Sequence, residues 1–377
     1  MGWNDDHPDP GHGRPDGGVG KVRIYALAAV FCATVLLFSP NVPIPGQRPA
    51  ADAFSLFEKP TRVASAASGA KLAIYCAGQG HPTVVLESGA GGNSAESWYR
   101  IIPLIDRRTR VCAYDRAGFG FSQLGADLPR DLNHDLADLH DVLHGRDDRG
   151  RFVLVGHSMG GTLAAAYADR YPEDVAGLVL IEPAVVLSPV IAGSSDSLDA
   201  AQRTRLQEFR RCAARFANSP GAARPAPADP CLNSHDFDAL SPTFARIEAE
   251  HRSTPDYWRA LASEMESNWL GTISRQAAAL LPHHWGSLPV RVVTAAVSEM
   301  NDSTLSAALG TARTDSARLS FVRDNHRRWE DRQAQLCSFS TDCVVTRVRT
   351  ASHYVQIAAP DTVAALVNDL IGRVHRR

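Results

Sequence analysis

Five residues, Gly156-His157-Ser158-Met159-Gly160, form the pattern G-x-S-x-G between an apolar run (152–155) and an Ala-rich helical run (161–170). In a strand-turn-helix setting such a serine sits on a sharp, strained turn, and the flanking glycines let backbone segments approach closely. The helix that follows points its N-terminus at the hydroxyl and favours negative charge developing there. That chemistry is nucleophilic. A serine hydroxyl is a poor nucleophile at neutral pH, so a base must lie within hydrogen-bond reach. Of the fourteen histidines, His353 is best placed, in Thr350-Ala351-Ser352-His353-Tyr354-Val355 between the last apolar run and the final helical segment. His157 adjoins Ser158 and points elsewhere on a tight turn. His283 and His284 leave a long helical stretch, where an exposed polar role is expected.

The elements that must position these residues alternate from about Gly69 onward. Residues 72–75 and 83–86 are short β-branched and aromatic runs, joined by a hairpin-like Gly78-Gln79-Gly80-His81-Pro82. Residues 110–114 form another strand, and 132–143 carry Leu and His at helical spacing. Residues 175–181 are continuously apolar, as expected of a parallel strand covered on both faces. The rhythm breaks at Pro183. Only helical patterns and polar loops fill 184–288, after which come a strand at 290–295, a helix near 324–336, a strand at 344–348 and a helix at 360–374. Strands on both sides of a helical insertion imply one sheet, with a core of 69–183 and 289–377 and a helical cap of 184–288.

Ahead of the core, residues 1–21 are Gly, Pro, Asp and His with little apolar content, so a disordered head is expected. Lys21 and Arg23 precede an apolar stretch from Ile24 to Phe38, and residues 22–39 read as an uncleaved transmembrane signal anchor. Residues 40–68 then form a linker, and the rest of the chain is exported to the extracytoplasmic side; cleavage of the segment would make it secreted. Setting Cys32 aside leaves six cysteines, an even number that suits disulfides in that compartment. The 377 residues are 44% hydrophobic and 21% charged, enough for a sizeable core. A net charge of −2 without a long basic run argues against nucleic acid as a partner. No His or Cys cluster shows ligand spacing, so neither a metal nor a cofactor is expected.

Four ordered blocks carry a family resemblance. They are Pro82 to Gly92, Tyr114-Asp115-Arg116-Ala117-Gly118-Phe119-Gly120, the turn around Ser158, and the segment around His353. Over residues 70–373, the cap excepted, the chain resembles α/β-hydrolases of the esterase, epoxide-hydrolase-like and dehalogenase-like superfamily. The resemblance implies an α/β fold: a mostly parallel eight-stranded sheet, a helical lid inserted after strand six, and a site at the C-terminal ends of the strands. It also implies the chain order serine, acid, histidine. Where relatives commonly have His-Gly after the third strand this chain has Ser88-Gly89, and the resemblance assigns the oxyanion hole to the N–H groups of Ala90 and Met159. The Asp115-Arg116 block is structural in this family.

The acid has more than one candidate. The common family position, after strand seven, offers Glu299 and Asp302 without a clean Gly-x-x-Asp turn. Glu182, which ends strand six, occupies the position that some dehalogenases and lipases use, and is preferred, with Asp302 next and Glu299 after it. Epoxide hydrolases and haloalkane dehalogenases carry aspartate at the elbow, whereas serine fits acyl transfer. The resemblance therefore implies hydrolysis of a small-molecule carboxylic ester. An acyltransferase or peptidase on the same residues, or a catalytically silent binding protein, are the other readings. The resemblance also suggests the pairings Cys76–Cys112, on neighbouring strands two and four, Cys212–Cys231, closing a loop in the lid, and Cys337–Cys343, closing a short loop before strand eight.

Overall fold

The computed structural model describes residues 52–126, 129–145, 150–184, 198–218, 231–232, 240–280, 284–308, 316–350 and 352–376. The expected head and anchor lie outside these residues. Among the described residues no helix is long and apolar enough to cross a membrane.

Eight strands form one sheet in the order β1-β2-β4-β3-β5-β6-β7-β8. They are β1 (Arg62–Ser65), β2 (Lys71–Ala77), β3 (Val84–Glu87), β4 (Val111–Tyr114), β5 (Phe152–His157), β6 (Val175–Ile181), β7 (Gly286–Ala295) and β8 (Ser340–Val348). β2 runs antiparallel to both β1 and β4, and every other pair is parallel. β1 and the buried Phe54 and Phe57 belong to the segment expected as a linker. A four-residue strand with one buried side chain leaves almost no periodic signal. The expected hairpin is also absent, because β4 lies between β2 and β3. β3 is buried along its whole length and takes parallel neighbours on both sides, which a two-residue-style return could not supply.

Among the described residues, eight longer helices accompany the sheet: α1 (Leu132–Leu143), α2 (Met159–Arg170), α3 (Ala200–Asn218), α4 (Pro242–Arg252), α5 (Pro255–Trp269), α6 (Thr272–Leu280), α7 (Ser316–Gln335) and α8 (Pro360–His375). Alternation along the strands splits the core in two. Leu72 and Ile74 of β2 join Leu136, Leu139 and Leu163 of α1 and α2 on one face. Ala73 and Tyr75 face the other way, with Trp98 and with Val363 and Val367 of α8. Both faces are covered, so β5 and β6 read as unbroken apolar runs.

Local signals start the helices. Asp131, Ser241 and Thr254 cap α1, α4 and α5 by accepting from the third residue on, and Pro242 and Pro255 take first-turn positions where no N–H is needed. Helices α3 to α6 all lie between β6 and β7, yet they are not alike. Ile273 and Ala277 of α6 pack in the α1–α2 core, and the Gln276 amide donates to Asp131. Disulfides join Cys76 to Cys112 across β2 and β4, Cys212 to Cys231, and Cys337 to Cys343.

Candidate active site

Ser158 stands between β5 and α2 with φ 54° and ψ −120°, one of two described non-glycine residues with positive φ. Such a conformation costs of order 1–3 kcal/mol and persists only where the surroundings hold it. The Ser158 N–H donates to Ile181 O at 2.9 Å, and its carbonyl accepts from Gly161 N at 2.9 Å and Ala184 N at 3.0 Å. Glycine is required on both sides by close approach. A Cβ on Gly156 would lie 2.2 Å from Gly160 O, and one on Gly160 would lie 2.3 Å from Glu87 O. The turn therefore aims a half-buried serine out of the C-terminal end of the sheet.

The other positive-φ residue is Glu182, directly after β6, with φ 47° and only 1% of its surface exposed. Its N–H donates to Val293 O at 2.7 Å, tying the turn to β7. One carboxylate oxygen accepts from the Thr294 hydroxyl at 2.8 Å and the Ala295 N–H at 2.7 Å. The other accepts from Trp329 Nε1 at 3.2 Å and faces His353 Nδ1 at 3.2 Å. Burial alone would raise the carboxyl pKa; the bond to His353, the Ala295 N–H and the nearby His326 outweigh it and hold the group below its usual range. An ionised Glu182 can only accept, so the proton of His353 sits on Nδ1 and leaves Nε2 with its lone pair.

His353 is fixed from a second direction. The Nε2–H of His157 donates to the His353 carbonyl at 2.9 Å, and the two rings lie 4.7 Å apart. Burial holds the His157 pKa well below its usual value, so this ring stays neutral. The His157 ring lies beside Gly89 and supports His353.

The loop after β3 closes against the elbow. A Cβ on Gly89 would lie 3.4 Å from the Ser158 Cβ. The buried Arg116 guanidinium donates to Ser88 O and Gly89 O, both at 2.7 Å, and to Glu87 at 2.8 Å. Its Nε donates to Glu264 of α5 at 2.9 Å, and Glu264 also accepts the Gly91 N–H at 2.6 Å. The Trp98 indole donates to Ser88 Oγ at 3.1 Å beneath the same loop. Ala90 thus lies on a segment held from two sides, and Met159 opens α2, where the first-turn N–H groups lack helical acceptors.

Of the three candidate acids, the structure brings only Glu182 to His353. Asp302 begins a short helix (Asp302–Ala308), pairs with Arg323 and has a side chain 58% exposed; Glu299 is exposed. Thr294, His326 and Trp329 went unread in the sequence. They come from β7 and α7, and nothing local in either segment marks a residue that meets Glu182. Trp285, just before β7, packs on α2 and donates to Asp169 at 2.8 Å.

Residues 82–270, half of the chain, match the alpha/beta hydrolase fold family, and the chain belongs to that family. A 2-hydroxy-6-oxo-2,4-heptadienoate hydrolase of Pseudomonas putida is 34% identical over 30% of this chain and 42% of its own. A 2-hydroxymuconate semialdehyde hydrolase of a Pseudomonas species is 34% identical over 34% and 45%. The chain thus spans less than half the length of these curated relatives. Among solved structures, a probable hydrolytic enzyme of Pseudomonas aeruginosa PAO1 superposes with a TM-score of 0.52 at 20% identity, covering 80% of this chain and 90% of the other.

Proposed function

We propose that the protein is a serine hydrolase that cleaves carboxylic esters through an acyl-enzyme. The observation that carries this reading is the buried Glu182–His353 contact beside a serine held at φ 54°. In the proposed cycle Ser158 Oγ attacks the ester carbonyl carbon and passes its proton to His353 Nε2. The negative charge that forms on the carbonyl oxygen is met by the N–H groups of Ala90 and Met159. Collapse expels the alcohol, which takes the proton from His353. Water then attacks the acyl-enzyme by the same route in reverse, and Glu182 stabilises the imidazolium both times.

A second reading has specific support in the names of the curated relatives: hydrolysis of an oxo-dienoic acid. Transfer of the acyl group to an acceptor other than water would use the same three residues. The proposal keeps residues 22–39 as an anchor that exports the domain, with a small-molecule substrate as its partner.

The test is turnover of p-nitrophenyl esters of graded chain length, alongside a 2-hydroxy-6-oxo-dienoate, by wild type and Ser158→Ala. Ester turnover that falls ~10⁶-fold in the variant, with fluorophosphonate labelling of wild type alone, is the expected result. Turnover confined to the dienoate would replace the ester reading with the second. Folded wild-type protein that neither turns over nor labels would leave a binding protein.

A further inference from the structure

At the end of the sheet remote from Ser158, three metal-ligating side chains converge. His140 lies in the last turn of α1, His144 caps that helix, and Asp174 is the final residue of the turn Pro172–Asp174 that leads into β6. Each offers a ligand atom within 4.8 Å of the others. His144 Nε2 is 2.9 Å from Asp174 Oδ2, and His140 Nδ1 is 3.7 Å from the same oxygen. Two metal bonds of about 2.0–2.1 Å at a tetrahedral angle place their ligand atoms roughly 3.4 Å apart. The two observed separations straddle that length, so sub-ångström movements would bring each imidazole to a metal-bonding distance from an ion shared with Asp174.

The cluster is built and reachable. The His140 ring stacks on Tyr171 with centroids 4.3 Å apart and planes 21° apart. The hydroxyl of the fully buried Tyr167 donates to Asp174 Oδ2 at 2.8 Å, which orients the carboxylate. Outer partners of this kind are what fix metal ligands in place. Asp141 and Glu173 add negative charge beside His140. The two imidazoles are 37% and 45% exposed, so an ion can arrive from solvent without opening the fold.

We propose that His140, His144 and Asp174 bind a divalent transition metal, Zn²⁺ in the first instance, with water completing the tetrahedron. Two imidazoles and one carboxylate suit Zn²⁺, Ni²⁺ or Cu²⁺ and disfavour Mg²⁺ and Ca²⁺, which take oxygen. The ion takes the Nδ1 lone pair of His140 in place of the contact that Nδ1 makes with the Tyr167 hydroxyl at 2.9 Å, and the ring proton then resides on Nε2. It clasps α1 to the turn ahead of β6. Asp174 and Glu182 flank opposite ends of β6, about 25 Å of extended chain apart at ~3.3 Å per residue, so the ion braces the fold and does not enter the reaction. The third ligand comes from a separate element, thirty residues beyond His144.

The full chain, stripped with EDTA, would be titrated with ZnCl₂ by calorimetry and with Co²⁺ followed by its visible d–d bands. One equivalent should bind, and His144→Ala and His140→Ala should each weaken it by ~10-fold or more. Zn²⁺ should raise the melting midpoint of wild type and leave that of the double variant unmoved. Near-UV circular dichroism in EDTA checks folding, and His144→Ala, at an exposed position, serves if His140→Ala disturbs it. Absence of saturable binding, or undiminished binding by the folded double variant, would overturn the proposal. None of these readings depends on ester turnover.

Discussion

Two fully buried glutamates flank the elbow strand. Glu87 ends β3 on one side of β5, and Glu182 follows β6 on the other. They share residue type, burial and the same end of the sheet, yet they titrate in opposite directions. Burial dominates at Glu87 and lifts its pKa to about 7, even though Arg116 and the Tyr114 hydroxyl bond to it. Arg116 divides its charge between Glu87 and Glu264, so neither carboxylate has the cation to itself. At Glu182 burial also pushes upward, but Thr294, Ala295, Trp329 and His353 supply donors to both oxygens, and the carboxyl falls below its usual range. Position does not make a buried carboxylate useful; its donors do.

Exchanging the two glutamates for glutamine tests that contrast most severely. Glu182→Gln should lower ester kcat by ~10⁴-fold, because the amide no longer fixes the tautomer of His353 or stabilises its cation. Glu87→Gln and Asp302→Asn should each leave kcat within a few-fold. Equal losses for Glu182→Gln and Glu87→Gln would break the comparison.

Next in size is the cation on the Glu87 side. Arg116→Met leaves Glu87 and Glu264 buried without their counter-charge, which should cost about 3–5 kcal/mol in urea denaturation. The same change frees the Ser88 and Gly89 carbonyls, so kcat should drop as well. A smaller effect is expected at Trp329→Phe, which removes a single donor to a charged oxygen while keeping the ring. Loss of ~10-fold in kcat, with KM and unfolding midpoint kept, would mark Trp329 as a positioning residue. A fall in stability with kcat unchanged would assign it to packing.

The smallest effect is a slope. With its folded pKa raised, Glu87 binds more protons in the folded state than in the unfolded one between about pH 4.5 and 7. Its contribution to stability is therefore present below about pH 4.5 and is lost as pH rises toward 7. Glu182 has the opposite sign: its contribution is present above the unfolded carboxyl pKa and disappears as acid protonates the folded group. Melting midpoints of Glu87→Gln should thus gain on wild type as pH climbs from 4.5 to 7. Parallel curves would remove the shift from the account.

The strands were legible where both faces are covered, because continuous apolar runs such as Val175–Ile181 follow from burial alone. The elbow was legible for a related reason. Gly156 and Gly160 are demanded by backbone atoms within a few residues, a short-range requirement that leaves its mark in the chain. β1 was not legible, having too few residues to show a period, and the place of β4 between β2 and β3 depends on a crossover.

By itself the sequence determined the nucleophilic turn at Ser158, the histidine after the last strand, and the helical insertion between β6 and β7. Each is written in residue order and local pattern, the scale on which backbone sterics and apolar periodicity act. Only the tertiary structure decided which carboxylate meets His353. Glu182 and His353 lie 171 residues apart, and their contact depends on β6, β7 and β8 standing side by side so that three loops end at one place. The same holds for Trp329, reaching Glu182 from α7, and for Asp174, meeting His140 and His144 from the far end of β6. Long-range meetings are set by how the chain crosses the sheet, and no local run of residues carries that information.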